Sequence, residues 1–381
     1  MWNNLGLDPE FIDREEIVSK LQLLALLERS DPYPVSGIGN IPLMDRIERS
    51  LRFIPKEHRN GALALFANTI YLPRKFSLSV LMYLFTQTLQ DIGCQKEEFV
   101  KDALFLEVDP TGIVNDFLRC NEIHGRLDKD KFPRTQQVES FVLLANRERA
   151  DNLFKDENGK PLEVGVCGWL DKKYWVILSD NVLSGTSMKS DIERIIKLAN
   201  DTGKTPYFIL LLRVLTTRAR ERIESEVKAL FDVNRITLKA GLLLDDRFVI
   251  NDSDRTGRTC GLFNDSDTYE AVLQACEWLA ATKEYKEDEK LGDHKKRSAT
   301  ECPGDDLRYG FKRCGLTLVT SENCPSNSLP LLWYKNQQIY IPPFPRVLSR
   351  VGGLNNDITG TQSDGNPYNS TRASDSSASL S

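Results

Sequence analysis

The chain has 381 residues, 28% of them charged and 40% hydrophobic, and a net charge of −5. That length buries a full core and predicts two domains, while so mild an acidity gives no sign of direct nucleic-acid binding. No apolar stretch approaches the ~18 residues of a membrane span, and residues 17–27 carry Lys20 and Gln22 behind acidic residues, unlike a signal peptide.

Taken in order, residues 14–28 form an amphipathic helix, with Ile17, Leu21 and Leu24 in period and Asp13 as N-cap. Pro32, Pro34, Gly37 and Gly39 make 30–41 a loop. Helical pattern resumes at about 42–53, 57–70 and 76–92. The piece ALALFANTIYLP (62–73) is nearly all apolar, ends at Pro73 and should be buried; SLSVLMYLFTQTL (77–89) is equally apolar and predicts an interior helix, with the alternative of a face offered to a partner chain. Residues 1–130 therefore read as a mostly helical N-terminal region without obvious chemistry. It shows no recognition helix with clustered Arg or Lys.

From 131 to 346 the pattern becomes that of an α/β domain. The segment VESFVLLA (138–145) is helix or strand by periodicity alone. YWVIL (174–178) is an unbroken apolar run bounded by turn residues, which reads as a buried strand of a parallel sheet. PYFILLLRVL (206–215) reads as a second, a helix follows over 218–231, and 233–244 is another strand region. Buried strands alternating with helices predict a parallel sheet with right-handed crossovers and a ligand crevice at the strands' carboxyl ends. Asp180 and Arg213 would face that crevice, Arg213 as a phosphate ligand or as an ion-paired arginine. Residues 245–267 read as a long loop, suited to a lid. A helix is predicted over 268–282, a charged solvated insertion near 283–306, and a strand at 316–319. Residues 347–381 hold almost nothing apolar and are expected to be a disordered tail. The eight cysteines form no CxxC pair and His58, His124 and His294 lie far apart. The expectation is a reduced, cytoplasmic protein without a His/Cys metal site.

The stretch 174–187, YWVILSDNVLSGTS, organises the rest. A buried strand ends at Asp180 and Asn181, and Ser184, Gly185, Thr186 and Ser187 make a small-residue turn. A helix follows with Met188, Ile192, Ile195 and Ala199 on one face. Such an arrangement aims backbone N–H groups and a helix N-terminus at one point, which suits a phosphate, while Asp180 suits ribose hydroxyls or a phosphate-bound metal. No Lys stands in the turn and the glycine spacing of a dinucleotide fingerprint is absent, which sets two other phosphate loops aside. The alternative is a strand-to-helix turn capped for local reasons.

These residues resemble the phosphoribosyl-pyrophosphate (PRPP) loop of type I phosphoribosyltransferases. Asp180 matches the first of two acids, Asn181 stands where the second usually is, and the turn is one residue shorter than the commonest form. A second stretch, the Asn/Pro loop 321–333 with Asn323, Pro325, Asn327 and Trp333, resembles the C-terminal signature of phosphoribosyltransferase-like domains of bacterial conflict systems, including retron-associated effectors. The resemblance covers roughly residues 135–346. It implies a type I phosphoribosyltransferase-like fold that binds PRPP, another ribose phosphate or a nucleotide, in a protein of antiviral defence. Asp180, as catalytic group, would take the ribose hydroxyls. Asn181, Ser184, Gly185, Thr186, Ser187, Arg213, Asn323 and Asn327 would complete the ligand site. Mg²⁺ would accompany a pyrophosphate, and the helical region would meet a partner protein of the same system. The Asn side chains equally suit the loop's own backbone. Three readings stay open: an enzyme acting on a phosphoribosyl compound, a nucleotide sensor with little turnover, and an interaction protein that uses the fold as a scaffold.

Overall fold

The computed structural model describes residues 5–8, 10, 14–34, 41–107, 113–123, 171–201, 203–250, 262–263, 265–282, 307–310, 314–335 and 340–345. The expectations for Asp13, 138–145, the charged insertion and the tail lie outside them. All described residues belong to one unit, 1–347.

In chain order the helices are α1 (Glu15–Ser30), α2 (Leu43–Phe53) and α3 (Arg59–Ala67), followed by strand β1 (Ile70–Leu72), α4 (Arg74–Ile92), α5 (Lys96–Lys101), β2 (Ala103–Glu107) and α6 (Ile113–Cys120). Then come β3 (Tyr174–Val182), α7 (Thr186–Asp201), β4 (Tyr207–Thr216), α8 (Thr217–Glu226), α9 (Lys228–Asp232), β5 (Ile236–Leu244), α10 (Ser266–Ala281), β6 (Leu318–Thr320) and α11 (Pro330–Trp333). No helix among the described residues is long and apolar enough to cross a membrane.

β3 and β4 are apolar on both faces because both are covered. They are the inner strands of a four-stranded parallel sheet ordered β2-β3-β4-β5. Alternate side chains of β3 supply two cores. Trp175 and Ile177 pack with Met188, Ile192 and Ile195 of α7 and with Ala219 and Ile223 of α8. Tyr174, Val176 and Leu178 pack on the other face with Val80, Leu84 and Phe85 of α4, Phe99 of α5 and Phe117 of α6. Parallel neighbours need crossovers, and α7 and α8 are those of β3-β4 and β4-β5.

The N-terminal region is helical, as its periodicity predicts, but it also enters the sheet. Residues 103–107 pair with β3 from Ala103↔Tyr174 to Glu107↔Leu178. Helix α4 lies over the same face, so close at Gly241 of β5 that a Cβ there would stand 1.9 Å from Val80 Cγ1. The α/β fold therefore draws on chain well before residue 131. A short run such as ALFLE has no period that separates strand from helix.

A second, two-stranded sheet pairs β1 with β6 in parallel, Tyr71 against Val319. Its Leu72 and Leu318 pack with Leu183, Val214 and Leu244 at the carboxyl ends of the main strands. That contact brings the loop after β6 to the crevice side of the large sheet. The loop's far side is held by the helical region: Cys324 N donates to Tyr33 Oη (3.0 Å), and Tyr33 Oη donates to Pro345 O (3.0 Å).

Candidate ribose-phosphate site

The strand β3 stays buried through Ser179 and then turns polar. Registers Ser179↔Leu212 and Asn181↔Val214 set Asp180 beside Arg213 on the neighbouring strand. The Arg213 Nε meets Asp180 Oδ1 in an ion pair, and Arg213 Nη2 lies 3.5 Å from Glu322 Oε2 in the loop after β6. Arg213 is only 5% exposed. The other Asp180 oxygen, Oδ2, accepts from Asn181 Nδ2 at 2.9 Å. The carboxylate is thus oriented from two sides, and a second, half-exposed carboxylate converges on the same guanidinium.

Val182 and Leu183 are buried, and the chain reverses through Ser184 and Gly185 into α7. Gly185 has φ +72°, the left-handed region that glycine enters without steric cost. Its carbonyl accepts the first helical bond, from Lys189 N at 3.0 Å, so it stands at the helix cap. A Cβ at 185 would lie 3.1 Å from Ala219 Cα and 3.2 Å from Ala219 O. The need for glycine here therefore comes from the backbone of α8 as well as from φ. Thr186, Ser187 and Met188 occupy the first turn of α7, where N–H groups have no helical carbonyl to reach. Thr186 N donates to Ser184 Oγ at 3.4 Å.

Two clamps hold this turn. Thr216 Oγ1 donates to Leu183 O (2.7 Å) and accepts from Ala219 N (3.1 Å), so one hydroxyl caps α8 and ties the two strand ends together. Arg222 of α8 donates through Nη1 to Ser184 O (2.8 Å) and Thr186 Oγ1 (2.6 Å). A cation therefore borders the first turn of α7, adding to its positive end.

The structure thus brings Asp180, Asn181, Ser184, Gly185, Thr186, Ser187 and Arg213 to the carboxyl ends of β3 and β4. The guanidinium of Arg213 is directed at carboxylates. Asn323 Oδ1 accepts from Cys324 N (2.9 Å), and Asn327 Nδ2 donates to Cys314 Sγ (3.2 Å), so these bonds organise the loop itself. Glu322 and Arg222 are the residues that sequence reasoning missed. Glu322 lies inside the loop already singled out, and Arg222 is one of three arginines in TRARERIESE, with nothing in the spacing to mark it.

The donor set around Asp180 does not fit a resident metal. Its carboxylate is engaged by a guanidinium and an amide, and among the described residues no group of three or more His, Cys, Asp or Glu could hold an ion.

A buried parallel sheet covered by helices on both faces, with a glycine-capped turn from strand to helix, defines an α/β protein. A sequence model of the PRTase-CE family matches residues 51–346, more than half of the chain, and the protein belongs to that family of phosphoribosyltransferase-like domains. No curated protein and no solved structure matches the chain. The matched span begins in α2 and so takes in β1, α4 and β2.

Proposed function

We propose that the chain binds a phosphoribosyl group, as PRPP or a nucleotide, and acts on it as an effector of bacterial antiviral defence. The observation that carries the binding is Gly185. Its positive φ turns the end of a buried strand into α7 within a space that α8 closes and aims the first-turn N–H groups of α7, of which that of Thr186 also reaches Ser184 Oγ, at the place a phosphate would take. Arg222 adds positive charge beside it. Asp180 and Glu322 accept from ribose hydroxyls, and Glu322 supplies the second carboxylate that Asn181 lacks. Arg213 positions both acids and takes no part in holding phosphate. Mg²⁺ has no protein ligand in this reading and comes, where needed, with a pyrophosphate. The defence setting is supported by the paired motifs at 174–187 and 321–333.

Isothermal titration with PRPP, ribose 5-phosphate and a nucleotide panel, with and without Mg²⁺, tests the binding. Heat with at least one phosphoribosyl ligand, abolished for inorganic pyrophosphate alone, is expected. No heat with any of them leaves the scaffold reading in its place. Plating of phage on a host carrying the chain and its neighbouring genes tests the setting: Asp180→Ala should abolish protection, and an absence of protection by wild type would remove it.

A second reading, a sensor with little turnover, is favoured by one observation. Both Asp180 oxygens already have protein partners, so the acid is less available to stabilise charge developing on a ribose. Asn181→Asp separates the two: it raises base or pyrophosphate release in an enzyme and changes affinity alone in a sensor.

A further inference from the structure

The turn that carries Glu322 takes its shape from its own residues. Thr320 N donates to Asn323 O (3.0 Å), and the Thr320 hydroxyl donates to the same carbonyl (2.9 Å) while accepting from Asn323 N (3.1 Å). Asn323 Oδ1 accepts from Cys324 N (2.9 Å). Local bonds of this kind fix a turn's conformation but not its place in the fold. The place is set by two longer-range bonds that flank Glu322. On one side Ser321 N donates to Leu72 O of β1 (3.0 Å). On the other, Cys324 N donates to Tyr33 Oη (3.0 Å).

Tyr33 is in turn held by its surroundings and is only 3% exposed. Its N–H donates to Glu28 Oε1 (3.3 Å), and Glu28 forms a buried ion pair with Arg46 of α2. Its ring meets Phe344 edge-on with centroids 5.4 Å apart, and its hydroxyl donates to Pro345 O (3.0 Å). The segment around Pro345 is anchored as well: Arg46 Nη1 donates to Pro343 O (2.8 Å) and Ser50 Oγ to Ile341 O (2.6 Å). A phenol whose proton points at one fixed carbonyl turns its lone pairs in one fixed direction, where Cys324 N lies. Burial keeps the phenol well above its usual range, so the proton stays in place. The β1 anchor leads to the same loop, because Tyr71 Oη donates to Asp31 O (2.6 Å).

We propose that Tyr33 is a positioning residue of the ribose-phosphate site: through Cys324 N it holds Glu322 beside Arg213, where the carboxylate accepts from ribose hydroxyls. The assignment rests on the ribose-phosphate reading and adds to that site a residue from the helical region. Without the phenol oxygen the turn keeps its local bonds but loses one of its two anchors. Glu322 Oε2 then leaves its place 3.5 Å from Arg213 Nη2. The turn at Gly185 shares neither anchor, so phosphate binding there is unaffected.

Two measurements on the full chain test this, with Tyr33→Phe keeping the ring against Phe344. In the unliganded chain the guanidinium N–H resonances of Arg213 report where Glu322 stands. They should move in Glu322→Gln and, in the same direction, in Tyr33→Phe. Titration calorimetry then compares ribose 5-phosphate with tetrahydrofurfuryl phosphate, which has the ring and the phosphate but no hydroxyls. Glu322→Gln should weaken ribose 5-phosphate about tenfold and Tyr33→Phe about threefold. The double variant should be no weaker than Glu322→Gln alone, and the Kd of tetrahydrofurfuryl phosphate should be the same in all four proteins. Arg213 resonances that stay in place in Tyr33→Phe overturn the assignment and leave the binding reading standing. So does a variant that weakens both ligands alike, or whose effect multiplies with that of Glu322→Gln. A wild type that binds neither ligand overturns both.

Discussion

Asp180 and Arg213 form a buried pair, so removing either partner should cost folding stability before any ligand is added. Truncating one member of a buried ion pair costs about 3–5 kcal/mol, because the other charge is left in a poorly solvated place. The Arg213 side chain is 6% exposed, and in Asp180→Ala its remaining carboxylate is Glu322, 3.5 Å away and 43% exposed. That partial compensation sets the expected loss at about 3 kcal/mol. Arg213→Met leaves a carboxylate that is 16% exposed and still accepts from Asn181, and Glu322 can turn to water, so about 2–3 kcal/mol is expected. The double variant leaves no unpaired charge in the strand layer and should cost no more than either single change, about 3 kcal/mol where addition gives about 5–6, a coupling of about 2–3 kcal/mol. Urea unfolding followed by circular dichroism reads all four corners of the cycle. Single variants that each lose less than ~0.5 kcal/mol, as at an ordinary surface site, or losses that simply add in the double, would refute the reasoning. Binding measurements on Asp180→Ala therefore need its folded fraction alongside.

Gly185→Ala should destabilise by about 1–3 kcal/mol, from the strain of a non-glycine residue at positive φ and the contact with Ala219. A rise in the urea midpoint, as expected where Ala only reduces unfolded-chain entropy, would contradict it. Arg222→Ala removes the bonds to Ser184 O and Thr186 Oγ1 and should cost about 1 kcal/mol, while weakening ribose 5-phosphate binding at low salt more than at high salt. Equal loss at both salt concentrations would speak against a cation beside the phosphate. Asp265 caps α10, and the Thr268 backbone N–H holds its carboxyl below the usual range, helped by the Thr268 hydroxyl and Arg14, against desolvation. Its contribution, about 1 kcal/mol, is present above the unfolded carboxyl value near ~3.9 and is lost as pH falls through the lower folded value. Wild type and Asp265→Ala should therefore differ in stability at pH 7 and converge in strong acid; an unchanged gap at the acid end would be wrong for this cap.

The strand–turn–helix at 174–201 was legible because each part has its own local signal: an unbroken apolar run, a glycine between small residues, and a helical apolar stripe. Local signals fail where partners are set by register. Nothing in the sequence pairs Asp180 with Arg213, since their meeting depends on β3 and β4 aligning Ser179 with Leu212. Glu322 reaches the same guanidinium only because β1 and β6 dock on the strand ends. β2 is five residues of apolar chain inside a helical region, and only its pairing with β3 makes it a strand. The apolar run of α4 predicts an interior helix, yet half its circumference faces outward: Met82 and Tyr83 carry no periodic mark against neighbours as apolar as themselves.

The central claim is that a phosphate sits on the first turn of α7. Two-dimensional NMR of the labelled full chain, titrated with ribose 5-phosphate, reads those amides one by one. The account predicts that the N–H resonances of Gly185, Thr186, Ser187 and Met188 shift most, with saturation, and that Arg222→Ala lowers the affinity of the same response. A saturable ligand that leaves these four amides in place while moving others, or no saturable response at all, would contradict it.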